Sequence, residues 1–215
     1  MKIKWFSLII ILACSAAKAQ ATPADQLMRA LENIKTFQAH FEQKIRDANG
    51  ESVSNMKGEV IIQRPGHFYW KSHAPDPILV VADGHTLWTY DIELSQVTKQ
   101  PLKETLRNSP AELLAGNVVK LTQSFKIDYA KPKQCNQKSD TCYLLQPKEK
   151  DAAFSNIIIG FTKDKLTEVK MHDPMGQQVN TIFSSIKINA PINKQVFAFK
   201  PPKGVDVINS GKDHD

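Results

Sequence analysis

Along the chain, the spacing of apolar positions changes from helical to alternating within the first fifty residues. Leu27, Leu31 and Ile34 fall at i, i+4 and i+7 with Met28 beside them, while Asp25, Arg29, Glu32 and Lys35 occupy the other side, which predicts an amphipathic helix. Thr22-Pro23-Ala24-Asp25 marks its start, with a capping hydroxyl, a proline at the first helical position and an acid three residues after the cap. From Phe37 the period becomes two: Phe37, Ala39, Phe41 and Ile45 alternate with Gln38, His40, Glu42 and Lys44, the pattern of a half-buried strand, and Asn49-Gly50 predicts a hairpin turn. Further strands are expected at 57–64, 67–72, 78–82, 85–90 and 94–99, separated by Pro65-Gly66, the Pro75/Pro77 pair and Asp83-Gly84.

The middle of the chain breaks this rhythm. Leu102 and Leu106 fit one helical turn, and Ser109-Pro110-Ala111-Glu112 repeats the cap, proline and acid signature, with Leu113 and Leu114 inside and Gly116 as a stop. Strands resume at 125–129, 142–146, 154–162, 166–172 and 179–188, with a turn at Asp173-Pro174-Met175-Gly176, and the tail 197–205 is expected to add one more short strand. The fold class is therefore α+β, mainly β: about ten to eleven strands in a strongly curved antiparallel sheet. Its concave face needs a cover, and the apolar stripe at Leu27 and Leu31 and the Leu113/Leu114 turn are the candidates for that cover.

The first residues add a cellular address. Lys2 and Lys4 precede an apolar run at 5–13, too short for the roughly 20 residues a membrane span needs, and Ala17-Lys18-Ala19 supplies a small-residue cleavage pattern. Residues 1–19 are expected to be a signal peptide and residues 20–215 a single exported domain, since no linker, repeat or low-complexity tract divides them. Loss of Lys2, Lys4 and Lys18 lowers the formal charge of +6 by three, and without a basic stripe no nucleic-acid partner is expected. A competing reading is that Ile11-Leu12-Ala13-Cys14 is a lipobox, although Leu12 stands where a small residue is usual. Cleavage after Ala19 leaves Cys135 and Cys142, which in an oxidising compartment are expected to form one disulfide stabilising a short loop by about 2–3 kcal/mol.

Catalytic signatures are missing: there is no H-E-x-x-H, G-x-S-x-G, P-loop or G-x-G-x-x-G, and the histidines form no ligand pair at helical spacing. No enzyme activity, cofactor or metal is expected. One segment carries more information, Gln63-Arg64-Pro65-Gly66-His67-Phe68-Tyr69-Trp70. By alternation Arg64 shares a face with Val60 and Ile62, so if these point inward its guanidinium either snorkels at the mouth or donates to carbonyls of whatever covers the mouth. Phe68 and Trp70 share one strand face, as do Trp88 and Tyr90 on another; such rings serve equally as core or as the wall of a ligand pocket.

These residues resemble the outer-membrane lipoprotein carrier (LolA) family. The resemblance is carried by Phe37-Gln38-Ala39-His40-Phe41-Glu42-Gln43, by Arg64-Pro65-Gly66-His67-Phe68-Tyr69-Trp70, by Asp83-Gly84-His85-Thr86-Leu87-Trp88-Thr89-Tyr90-Asp91, and by Ser109-Pro110-Ala111-Glu112-Leu113-Leu114. Asp173-Pro174-Met175-Gly176-Gln177 and the ending 197–205 complete it, in order, along nearly the whole exported chain. It implies an unclosed antiparallel barrel, a lid of short helices and a hydrophobic cavity for acyl chains. It further implies a monomeric periplasmic protein that takes triacylated lipoproteins from an inner-membrane ABC transporter and passes them to an outer-membrane receptor. By the same resemblance Arg64 is the lid latch, Phe68 the aromatic used in handover from the transporter, and Trp70 part of the cavity wall; Phe41, Ile62 and Trp88 are expected to line the cavity with them. The Cys135/Cys142 pair and the opening of the turn at His172-Asp173-Pro174 depart from the family pattern.

The rival readings are a lipid-anchored receptor of the same fold, a periplasmic enzyme without a recognisable motif, and a lipid-binding sensor. The first turns on Cys14. Mass spectrometry of the exported protein is expected to find Gln20 at the mature N-terminus; a diacylglyceryl group on Cys14 would instead favour the anchored receptor.

Overall fold

In a computed structural model, residues 21–73, 75–103, 116, 121–150 and 152–210 are described. Helix α1 (Pro23–Glu32) begins as its signals predict: Thr22 Oγ1 accepts from the Asp25 N–H, and Asp25 reaches back to the Thr22 N–H at 3.1 Å. Twelve strands follow: β1 (Thr36–Arg46), β2 (Ser52–Gln63), β3 (His67–Ser72), β4 (Ile78–Asp83), β5 (Thr86–Asp91), β6 (Gln96–Pro101), β7 (Phe125–Tyr129), β8 (Thr141–Pro147), β9 (Asn156–Thr162), β10 (Lys165–His172), β11 (Gln178–Ile188) and β12 (Asp206–Asn209). A single helical turn, α2 (Leu121–Ser124), leads into β7.

All twelve strands belong to one sheet in the order β12-β6-β5-β4-β3-β2-β1-β11-β10-β9-β8-β7, whose edges β12 and β7 do not pair. One apolar cluster collects inward residues from β1 to β5 and β7 to β11 together with Leu27 and Leu31 of α1, so the sheet curls around a single core. Contact between α1 and β7 carries the helix across the concave face toward the far edge. The expected second cover at Leu113 and Leu114 lies outside the described residues.

The twelve strands exceed the expected ten to eleven, and the tail corrects the expectation in two ways. Residues 197–205 form no strand: Lys194–Phe197 is a 3₁₀ turn, and Pro201 and Pro202 have no N–H to give to a ladder. The last strand lies later, at β12, and pairs parallel to β6, so the sheet is not wholly antiparallel. β2 begins at Ser52 because residues 52–56, with Val53 exposed and Met56 only half-buried, pair with β1 without becoming buried, which hides them from a search for alternating burial.

The outer face is reinforced in two places. Over β3 to β5 the tail lays Phe197 edge-on to His67 at 5.3 Å and Phe199 against Trp88 and Tyr90 at 5.7 and 6.1 Å, beside the buried Val81 and Val97. Over β8 to β10 the loop closed by the Cys135–Cys142 disulfide covers Glu168, which is 1% exposed. Glu168 accepts from the Asn136 N–H at 2.9 Å and pairs with Lys170 at 3.5 Å, while Lys170 also donates to the Gln134 carbonyl at 2.8 Å. A buried carboxylate is tolerated there because a cation and a backbone donor both face it.

Gly58 has a different task. It pairs with Phe41 on one side and Ser72 on the other, and a Cβ added to it would meet the Lys71 carbonyl and lie 2.7 Å from Phe41 Cζ. The missing side chain is what lets the Phe41 ring lie across β2. Gly58→Ala is expected to destabilise the fold by about 1–3 kcal/mol, measured as a lower urea midpoint at unchanged slope.

Candidate binding site on the concave face

Alternation along each strand decides what the concave face presents. Phe37, Ala39 and Phe41 of β1, Val60 and Ile62 of β2, Phe68 and Trp70 of β3, Val80 and Ala82 of β4 and Leu87 of β5 all join the inward cluster. From the other half come Phe183, Val169, Met171, Ile157, Ile159, Phe161, Tyr143, Leu145, Phe125 and Ile127. Burial raises the Tyr143 hydroxyl above its usual pKa, with Tyr129 and Asp164 adding to it.

Passing over Gly58, the Phe41 ring stacks on Trp70 with centroids 3.6 Å apart and planes 20° from parallel. Phe68 lies 6.3 Å from Trp70 at 11°. Three rings from two strands thus form one aromatic shelf. Phe41 and Phe68 are buried and Trp70 is half-buried, so the shelf reaches accessible space at the indole.

Ile62 is 2% exposed within this wall, as its alternation predicts. Leu27 and Leu31, at 0% and 1% exposed, press α1 onto the wall. Arg64 sits in the turn after β2, its backbone N–H donating to the Lys35 carbonyl at 2.9 Å, and its peptide bond to Pro65 is cis. The guanidinium Nε and Nη1 are shut off from solvent, and this desolvation pushes the group down to about 10. Arg64 therefore carries its charge largely out of water.

Trp88 corrects the expectation. The pairing of Ala82 with Leu87 turns Leu87 inward, so Trp88, paired with Val81 and Lys99, belongs to the opposite face. There it packs on Phe199 with Lys99 Nζ 5.3 Å above its ring, and its side chain hydrogen-bonds Asp83. Burial alone would raise the Asp83 carboxyl, but the N–H groups of Thr86 and His85 and the Trp88 side chain outweigh it and hold the carboxyl below its ordinary value. The shared face of Trp88 and Tyr90 was legible in the sequence; which face it was depended on strand register.

One pair was missed. Gln43 continues the inward series after Phe41, and its Nε2 donates to Thr181 Oγ1 on β11 at 2.9 Å. Its only sequence signal is an amide at a position where the alternation calls for an apolar residue. Among the described residues no group of three or more His, Cys, Asp or Glu side chains is placed to hold a metal ion, and no helix is long and apolar enough to cross a membrane.

The two tryptophans separate the faces experimentally. Trp70→Ala is expected to weaken binding of an apolar fluorescent probe several-fold, in line with about 0.5–1.5 kcal/mol for a ring contact beyond its area. Trp88→Ala should lower stability by about 1–3 kcal/mol and leave probe affinity within about twofold. Titration of the probe against each variant, with urea melts alongside, measures both; equal loss of affinity in the two would contradict the face assignment.

Comparison with known proteins agrees with this architecture. The chain matches the family model for the outer membrane lipoprotein carrier protein LolA over residues 32–200. Curated relatives named outer-membrane lipoprotein carrier protein include one from Hahella chejuensis, 36% identical over 96% of this chain and 98% of its own length. Another, from Pseudomonas entomophila, is 37% identical over 94% and 96%. A third, from Coxiella burnetii, is 36% identical over 88% of each chain. Among solved structures, an uncharacterized conserved protein from Thermus thermophilus shares the fold at a TM-score of 0.54 and 11% identity, covering 86% of this chain and 98% of its own. With an open sheet, an apolar concave wall and this extent of similarity, the chain belongs to the outer-membrane lipoprotein carrier protein family.

Proposed function

We propose that the protein is a periplasmic chaperone that shields the acyl chains of lipoproteins released from the inner membrane and delivers them to the outer membrane. The observation that carries this is the concave wall with its aromatic shelf, apolar throughout most of its surface and covered by a helix instead of by a second sheet. Curated relatives over nearly the whole chain carry the name lipoprotein carrier, which supports the same reading and assigns no catalysis. The upstream partner is an inner-membrane ABC transporter, the downstream partner an outer-membrane receptor, and the exported form is a monomer beginning at Gln20 after removal of residues 1–19.

Energetics limit how the cargo is held. Each buried methylene contributes about 0.8 kcal/mol, so full enclosure of three long chains would exceed the roughly 20 kcal/mol ceiling of non-covalent affinity. A carrier that must also release its load therefore shields the chains in part, and the receptor takes them by binding more tightly. In this scheme Arg64 latches the closed cover, giving its N–H groups to carbonyls that move away on opening. Phe68, now buried, becomes available to the transporter when the cover lifts.

The test uses the chain from Gln20 with inner-membrane vesicles holding a labelled triacylated lipoprotein and an active transporter. A soluble one-to-one complex that unloads onto outer membranes is expected; no complex, with transporter activity confirmed, would overturn the carrier reading. Arg64→Leu should still form the complex but pass at least about tenfold less cargo to the receptor, the effect of roughly 1.4 kcal/mol. Normal transfer by that variant would remove Arg64 from the latch.

A further inference from the structure

We propose that Gln43 and Thr181 form a polar notch in the cavity wall that binds the carbonyl groups through which acyl chains are joined to the cargo. The inference rests on the carrier reading and assigns a subsite within it. Gln43 pairs with Met56 on β2 and with Thr181 on β11, and Thr181 pairs with Val169 on β10, so the two polar residues occupy the middle of one row across the wall. The row beside it toward α1 holds Phe41 paired with Phe183; the row on the other side holds Ile45 paired with Val179. The notch is thus surrounded by apolar side chains, of which Met56, Val169, Phe41, Phe183 and Val179 all belong to or pack on the inward cluster.

Such a pair is costly where apolar residues would fill the wall without polar groups to satisfy. The 2.9 Å bond from Gln43 Nε2 to Thr181 Oγ1 uses one donor hydrogen of the amide and one lone pair of the hydroxyl. The second amide hydrogen and the hydroxyl hydrogen enter no other hydrogen bond among the described residues. Thr181 is 3% exposed and Gln43 half-buried, so the hydroxyl lies at the base of the notch and the amide faces accessible space. Two donors are left for a ligand that excludes water from the wall.

Acylated cargo brings matching acceptors. A chain drawn into the cavity takes its ester or amide carbonyl out of water, and that carbonyl loses free energy unless a donor meets it. Gln43 stands two residues beyond Phe41, about 7 Å along the strand. A chain lying on the Phe41–Trp70 shelf would place its first carbons, and the carbonyl that ends them, at this position.

The ligands for the test are a synthetic lipopeptide with two ester-linked glyceryl chains and one amide-linked chain on its terminal cysteine, and its analogue with ether oxygens in place of the esters. Affinities are measured by displacement of an apolar fluorescent probe that carries no carbonyl. The wild-type exported chain is expected to bind the ester form about five- to tenfold more tightly than the ether form, and Gln43→Leu/Thr181→Val to bind both alike. The single variant Gln43→Met, at a half-buried position, should lose most of the discrimination, and Thr181→Ser should retain it. Undiminished probe binding shows that a variant's cavity is intact. No preference in the wild type, or a preference unchanged in the Gln43 variants, would overturn the notch while leaving the carrier reading standing. Failure of the wild type to bind either lipopeptide while still binding the probe would overturn the carrier reading itself, and the notch with it.

Discussion

The apolar concave face of an open sheet governs the rest of this structure. Twelve strands curl without joining edge to edge, so the inward side chains of the two halves cannot complete a closed barrel core. The face must be covered by something that is not part of the sheet, and α1 is one such cover, with Leu27 and Leu31 fully withdrawn from solvent. Burial per area stabilises equally whatever supplies the apolar surface. In the proposed carrier a helix face and an acyl chain would therefore compete for the same wall, making covering and carrying two occupancies of one surface.

For that competition to be reversible the wall has to hold its shape when its cover changes. The outer face accounts for this. On one half the C-terminal tail packs Phe199 on Trp88 and Tyr90, on the face that holds the buried Val81 and Val97, and adds β12 beside β6; on the other the disulfide loop covers Glu168 and Lys170. Both devices act on the side away from the cavity, so each strand bearing a reinforced residue is held without using its inward side chains. Trp88 makes the point most directly, since a ring that would enlarge the cavity wall instead anchors the tail.

Sequence was a good guide wherever a local rule determined the outcome. The capping box at Thr22, the alternation in β1, the Asn49-Gly50 turn with Gly50 at φ +86°, and the Cys135–Cys142 pairing all follow from nearest-neighbour chemistry. It was a poor guide wherever register between distant segments decided. Trp88 and Tyr90 visibly share a face, but only the Ala82–Leu87 pairing says which; β12 is exposed along its length and carries no burial pattern at all. Gln43 was legible as an interruption of an apolar series, yet its partner lies 138 residues away on β11, beyond any spacing rule. Placing Arg64 among the functional residues needed the family resemblance as well as its alternation with Val60 and Ile62.

In the proposed latch, Arg64 carries two opposing contributions. Burial lowers its guanidinium to about 10, because a charged group taken out of water loses hydration. The sign matters: the penalty falls on the charged form, which is the form present well below pH 10. Hydrogen bonds from its N–H groups to the cover would offset that loss in the closed arrangement, and water would offset it in the open one. A hydrophobic latch of the same size would have neither that loss nor the directed hydrogen bonds. In the proposed scheme a cation at this position ties closure to hydrogen bonds that a cargo or a partner can break, so a differential affinity for either arrangement would move the equilibrium.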